Sequence, residues 1–257
     1  MLAVISPAKK LDYDTPAPFE AHSLPDYLDD AEILIEDARK LTRSDLSRLM
    51  KISDNLADLN FQRYRAFAPP FDLGNAKQAA YAFNGDTYVG LDADSLQERD
   101  FQWAQEHLRI LSGLYGMLRP LDLMQPYRLE MGTRMQNARG SNLYEFWGAS
   151  LAEGINAITA GHKDRSLINL ASNEYFKAVK TDALEARVIT PVFKEIKAGQ
   201  AKVLGMFAKR ARGAMARFMI ENRLEDPQGL KQFTTDGYVY REDLSSEVEW
   251  VFTRDHG

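Results

Sequence analysis

The stretch from His107 to Gly140, HLRILSGLYGMLRPLDLMQPYRLEMGTRMQNARG, constrains the chain more than any other. It crowds apolar residues, two closely spaced glycines, two prolines and a run of arginines into a small space. Gly113 and Gly116 bracket Leu114 and Tyr115, and Pro120 follows soon after. Arg109, Arg119, Arg128, Arg134 and Arg139 recur through it, opposed only by Asp122 and Glu130. Guanidinium groups so close together repel one another unless something anionic meets them. Two arrangements satisfy them. One is a buried connector whose arginines pair with carboxylates elsewhere in the fold, and the other is a surface that receives an anion.

The second arrangement has to be local, because the whole chain carries a formal charge of -5. A uniformly basic nucleic-acid coat is excluded, whereas a patch of positive potential on an acidic protein still binds. The sequence contains no cysteine, which removes disulfides, thiolate metal sites and thiol-based redox chemistry. No run approaches the roughly 20 apolar residues of a spanning helix. The expectation is one α+β domain over residues 1–257, cytoplasmic, away from membranes and monomeric.

In chain order, Leu2 to Ile5 reads as a buried strand ended by Ser6-Pro7, and Lys9 and Lys10 follow it at the rim of a cleft or in a solvated loop. Pro25 to Lys40 has helical spacing. Thr42 caps a second helix, Arg43 to Met50, with Asp45 completing a capping box, and Asp54 to Phe67 forms a third with helix–turn–helix character. Thr87 to Leu91 reads as a strand, Asp100 to Leu111 as a helix stopped by the glycines, and Leu143 to Ile158 as another helix. Strands are expected over 166–170, 187–193 and 201–207, with Thr190-Pro191 marking an edge or bulge. Gly237 to Arg241 and Glu249 to Thr253 form a hairpin.

The helix expected over Lys209 to Leu224 carries the strongest charge signal. Ala211, Ala214, Met215 and Phe218 share one face, and Lys209, Arg210, Arg212, Arg217 and Arg223 the other. Guanidinium groups bind phosphate oxygens in pairs, so this arc suits a phosphate backbone or stands as a solvated face. The Gly113–Gly116 turn is a second route to phosphate, through backbone N–H groups that glycine leaves free to approach an anion, as in a helix-hairpin-helix. A plain helix end explains the same residues. Enzyme signatures are sparse. His22, His107, His162 and His256 are far apart in sequence and match no metal-ligand spacing, so no metal or other cofactor is expected. Asn169, Ser172, Glu174 and Lys177 follow a buried strand, a common place for a site beside a parallel sheet. With Ser6, Lys9, Arg128 and Glu130 they could line a polar cleft, in which Glu174 and Glu130 are the catalytic candidates.

ISPAKKLD near the start, LSGLYGMLRPLDLMQPYRLEMG, NLASNEYFK and KRARGAMARFMIENRL together resemble the YaaA family of bacterial peroxide-stress proteins, in order and over nearly the whole chain. The resemblance implies an α+β fold with a positively charged cleft, a helix-hairpin-helix-like element and DNA binding. It also implies a part in surviving hydrogen peroxide and in limiting free iron, and with it oxidative DNA damage. Matching positions are Lys9, Lys10, the Gly113–Gly116 turn, Arg119, Arg128, Arg134 and the Lys209–Arg223 face. The first expectation is therefore a protein that holds duplex or branched DNA by its phosphates. An enzyme acting on nucleic acid or nucleotide, or an iron-binding regulator, stands as the alternative.

Overall fold

The centre of the molecule is a strand that can only be central. Leu2–Ile5 is buried along its entire length, the uninterrupted apolar pattern of a strand covered on both faces. Parallel strands flank it, Leu108–Ser112 on one side and Leu167–Leu170 on the other, so that Ile5 aligns with Ile110 and with Leu170. Val188–Lys197 and Glu249–Asp255 extend the parallel block, and Val239–Tyr240 and Gly116–Leu118 close its two edges antiparallel. Helices cover this mixed sheet, giving an α+β domain, and no helix is long and apolar enough to cross a membrane. The computed structural model describes residues 1–255; His256 lies outside them.

Several expected elements are present. Helices run over Leu28–Arg39, Arg43–Met50 and Asp54–Ala66, and Thr42 and Asp45 form the reciprocal capping box. The terminal hairpin pairs Val239–Tyr240 with Glu249–Asp255. Pro191 sits where Val188–Lys197 leaves its neighbour Leu167–Leu170, whose pairing stops at Ile189, while the other side stays bonded to Glu249–Asp255. The missing N–H therefore costs no ladder bond.

Elsewhere tertiary packing overrides local pattern. The helix expected to reach Leu111 ends at His107, and Leu108 and Leu111 belong to a buried strand. The expected Leu143–Ile158 helix divides into Leu143–Trp147 and Ser150–Thr159 at Gly148, whose φ is 49°. A tight turn at Ala198 and Gly199, both with positive φ, shortens the 201–207 strand to Gln200–Lys202. The helix placed at Lys209–Leu224 runs over Gly205–Glu221.

Thr87–Leu91 is helix, as part of Asp86–Leu91. Its β-branched residues favour strand, but Gly90 and Gly213 bring this segment and Gly205–Glu221 into backbone contact. A Cβ on Gly213 would meet the Thr87 carbonyl oxygen at 1.7 Å, and one on Gly90 the Arg210 carbonyl oxygen at 2.0 Å.

The Gly113–Gly116 turn also differs from expectation. It joins the antiparallel strands Leu108–Ser112 and Gly116–Leu118, so the segment is a β-hairpin and not a helix-hairpin-helix. Every residue from Leu111 to Leu118 is buried. The Ser112 hydroxyl already accepts the Tyr115 N–H, and the Gly113 carbonyl accepts the Trp147 indole N–H. Gly116 has φ 67° and lies against the Trp147 ring. These glycines serve close packing, with no amide turned outward toward phosphate.

Two histidines distant in sequence meet in space. Trp103, His107 and His162 stack, with ring centroids 4.0 and 4.6 Å apart. Burial, with smaller effects of the Met1 ammonium and then the His107 charge, pulls His162 down to about 4, and its Nδ1 is buried without a partner among the described residues. The unfolded chain then binds a proton at His162 near pH 6.5 that the folded chain refuses until about pH 4. Stability is accordingly full above the unfolded value and lost as pH falls through that window. Urea midpoints measured from pH 7.5 to 5 should decline, and His162→Phe, which keeps the ring stack, should flatten the decline.

Candidate anion-binding site

The parallel strands set the position of the site. The chain leaves Leu2–Ile5 at Ser6 and leaves Leu167–Leu170 at Ala171. The neighbours of the first strand are reached in opposite directions along the sheet, which opens a crevice at the carboxyl ends of these strands. Ser6 and Ser172 meet there: the Ser172 N–H donates to the Ser6 hydroxyl oxygen at 2.8 Å, and the two hydroxyls are 3.3 Å apart. The Tyr88 hydroxyl donates to the Ser6 carbonyl at 3.2 Å, anchoring the helix Asp86–Leu91 over the strand end.

A cavity of about 460 Å³ opens between these parts, within the range of roughly 300–1,000 Å³ typical of small-molecule sites. One wall comes from the strand ends, with Pro7, Ala8, Leu170 and Tyr175 as apolar surface and Ser6, Ser172 and Glu174 as polar groups. The long helix contributes Lys209 and Arg212, and Asn84 to Thr87 also line the cavity, with Gly85 packed against Ala8. Lys10 joins them because Lys10–Leu11 pairs antiparallel with Phe83–Asn84, which sets Lys10 directly opposite Asn84. Lys9 completes the cationic set. Four cations face two carboxylates, Asp86 and Glu174.

Their pairing is uneven. Lys9 contacts Glu130 at 2.9 Å, and Glu130 is held in turn by Arg128 at 3.0 Å. Glu174 accepts the Gly132 N–H at 3.0 Å, tying the end of the arginine-rich stretch to the cavity. Lys10, Lys209 and Arg212 have no ion pair among the described residues. Arg212 is the strongest case, since its guanidinium is largely withdrawn from water and burial pulls its pKa below the ordinary arginine value. A buried cation without a counter-charge is costly. Such a group on a cavity wall is set to receive an anion.

The remaining basic positions lie elsewhere. Arg210 is 3.8 Å from Asp86 at the margin of the cavity. Arg217 bridges Asp92 and Glu221 and also donates to Ser95. Arg223 pairs with Asp100 at 2.6 Å. Arg119 pairs with Asp122 and Asp26 and donates to the Leu24 carbonyl. Arg139 pairs with Asp30, and buried Arg109 donates to the carbonyls of Gln105 and Leu108. Arg134 is exposed and unpaired among the described residues. Much of the central stretch is thus a connector whose arginines find carboxylates and carbonyls, while Arg128 and Glu130 line a small neighbouring pocket and reach the cavity through Lys9. Lys177 stands 5.1 Å from the Tyr144 ring, and Asn169 is buried, accepting the Ala171 N–H at 3.1 Å.

Sequence reasoning missed Asn84, Asp86, Thr87 and Tyr88 as lining or supporting residues. A glycine at position 213 inside an otherwise well-formed helix was the available signal, since glycine there is destabilising unless a neighbour needs the space. A larger cavity of about 540 Å³ runs along Tyr13–Glu20 and Leu73–Gln78. Its one cation, Lys77, already donates to the Asp12 and Thr15 carbonyls at 2.8 and 2.6 Å, which makes it a poorer anion site. Among the described residues no group of three or more His, Cys, Asp or Glu is arranged to hold a metal ion.

Residues 1–244 match the sequence family described as peroxide stress protein YaaA. A UPF0246 protein of Magnetococcus marinus is 57% identical over 254 residues, covering 99% of each chain.

Proposed function

This chain belongs to the family of peroxide stress protein YaaA, and from that premise we propose that it acts in the cytoplasm, as a monomer, by holding DNA through the cationic mouth of the cavity. The observation that carries this reading is Arg212, a largely buried guanidinium without an anionic partner among the described residues, set beside the unpaired Lys10 and Lys209. Phosphates of duplex or branched DNA would supply the missing charge with little dependence on sequence. A chain without cysteine cannot consume or sense peroxide through a thiol. A part at the DNA itself, limiting iron-dependent oxidative damage there, fits what the residues offer.

One observation favours a second reading, an enzyme acting on a nucleic acid or nucleotide. The cavity lies at the carboxyl ends of parallel strands, where such folds place their chemistry, and Ser6, Ser172 and Glu174 line it.

The test is a salt series of binding to duplex, single-stranded and four-way-junction DNA of one base composition. Log affinity should fall linearly with log salt, by about 0.9 per phosphate neutralised on duplex, with duplex or junction preferred. No binding at low salt would overturn the DNA reading and bring the enzyme forward.

A further inference from the structure

We propose that the cavity receives one nucleoside monophosphate unit, either free or turned out of a DNA strand. The inference deepens the reading above by naming what fills the cavity that opens at the cationic mouth. Its lining is mixed in chemistry. Arg212 and Lys209 come from the long helix and Lys10 from the strand paired with Asn84, all three line the cavity, and all three lack carboxylate partners among the described residues. A nucleotide phosphate, a dianion when free and a singly charged diester within a strand, matches these cations, since guanidinium and ammonium groups form charge-assisted bonds with its oxygens.

The rest of the lining matches a base and sugar. Pro7, Ala8, Leu170 and Tyr175 supply apolar surface, and Tyr175 is the one aromatic ring on the wall. Aromatic surface takes any base by its π-face. Ser6 and Ser172 offer hydroxyls, and Glu174 is held in place by the Gly132 N–H on one carboxylate oxygen, leaving the other to accept. The Asn84 side-chain amide makes no hydrogen bond among the described residues and lines the same space. Inorganic phosphate would leave most of the roughly 460 Å³ unfilled, and a nucleoside alone would leave Arg212 unpaired.

The experiment titrates the full chain with deoxyadenosine monophosphate and with deoxyadenosine by calorimetry. The monophosphate should bind at least about tenfold more tightly, and Arg212→Gln should weaken it by about tenfold or more, the scale of a charge-assisted hydrogen bond. Lys209→Gln alters an exposed side chain and leaves the core untouched, so it tests the same set of cations if Arg212→Gln fails to fold. Equal affinity for the two ligands, or no binding of either, overturns the proposal.

A second arm identifies the source of the nucleotide. In a duplex carrying 2-aminopurine opposite a mismatch, a rise in fluorescence on binding, reversed by excess deoxyadenosine monophosphate, shows a unit taken from the strand. Monophosphate binding without that rise supports the same pocket with a free nucleotide as its ligand. Salt-dependent duplex binding with no monophosphate binding overturns the pocket and leaves the DNA reading standing. Monophosphate binding with no duplex binding does the reverse.

Discussion

Replacing Gly213 with alanine should lower the unfolding free energy by about 3 kcal/mol, the upper part of the range for overpacking a close contact. An added methyl carbon would stand 1.7 Å from the Thr87 carbonyl oxygen and 2.8 Å from the Leu91 nitrogen. Both are backbone atoms, so no side chain can swing aside to relieve the clash. The first distance is more than an ångström inside the closest approach such carbons make, and the two helices must separate. Gly90 makes the reciprocal contact with the Arg210 carbonyl oxygen, so Gly90→Ala should behave alike. The two changes together should cost less than their sum, because one separation relieves both.

A helix-propensity argument alone gives the opposite sign, since alanine in a helix interior is favoured over glycine by about 1 kcal/mol. Urea unfolding followed by circular dichroism therefore separates the two accounts. Gly161→Ala is the control, because a Cβ there meets nothing within 4 Å, and its midpoint should move by no more than about 0.5 kcal/mol equivalent. An unchanged or raised midpoint for Gly213→Ala would remove the glycine contact as the reason that Asp86–Leu91 is helical. The contact matters beyond stability because it brings Asp86 and Thr87 into the same cavity lining as Lys209 and Arg212.

The same contact explains where sequence reading stopped. Leu2–Ile5 and 166–170 were legible as buried strands because their apolar runs are local, and the Thr42 cap because its partner Asp45 is three residues away. Leu108–Ser112 was misread because the apolar spacing of Glu98–His107 continues into it without a break. What ends the helix is pairing with Leu2–Ile5, more than a hundred residues earlier. The Gly113–Gly116 turn carried no local mark of the strands on either side. In the candidate site, Lys9, Lys10, Glu174, Lys209 and Arg212 were legible as chemistry. Their assembly depended on sheet order and on a two-residue ladder from Lys10 to Asn84, which no periodicity reports. The five-cation arc of the long helix also looked uniform in projection, yet acids on neighbouring segments engage Arg217 and Arg223 and leave Arg212 free.

That difference in pairing yields the second large effect. Changing Lys10, Lys209 and Arg212 together to glutamine should weaken duplex binding about 100-fold at low salt and reduce the slope of log affinity against log salt by about 3, one for each phosphate no longer neutralised. The loss should be similar on unrelated sequences, since phosphate contacts position without specifying. Arg217→Gln together with Arg223→Gln removes two positive charges from the same helix region, against three in the triple variant. Those side chains are already bound to Asp92, Glu221 and Asp100, so the pair should leave the slope nearly unchanged while lowering thermal stability. Comparing the two variants distinguishes a built site from general attraction by net charge. Under general attraction both lose affinity in proportion to the charge removed. With a built site only the first does, and most of its loss should persist in Arg212→Gln alone, because that guanidinium is the one most withdrawn from water among the three. An unchanged salt slope in the triple variant would show that the cavity mouth is not where DNA phosphates dock.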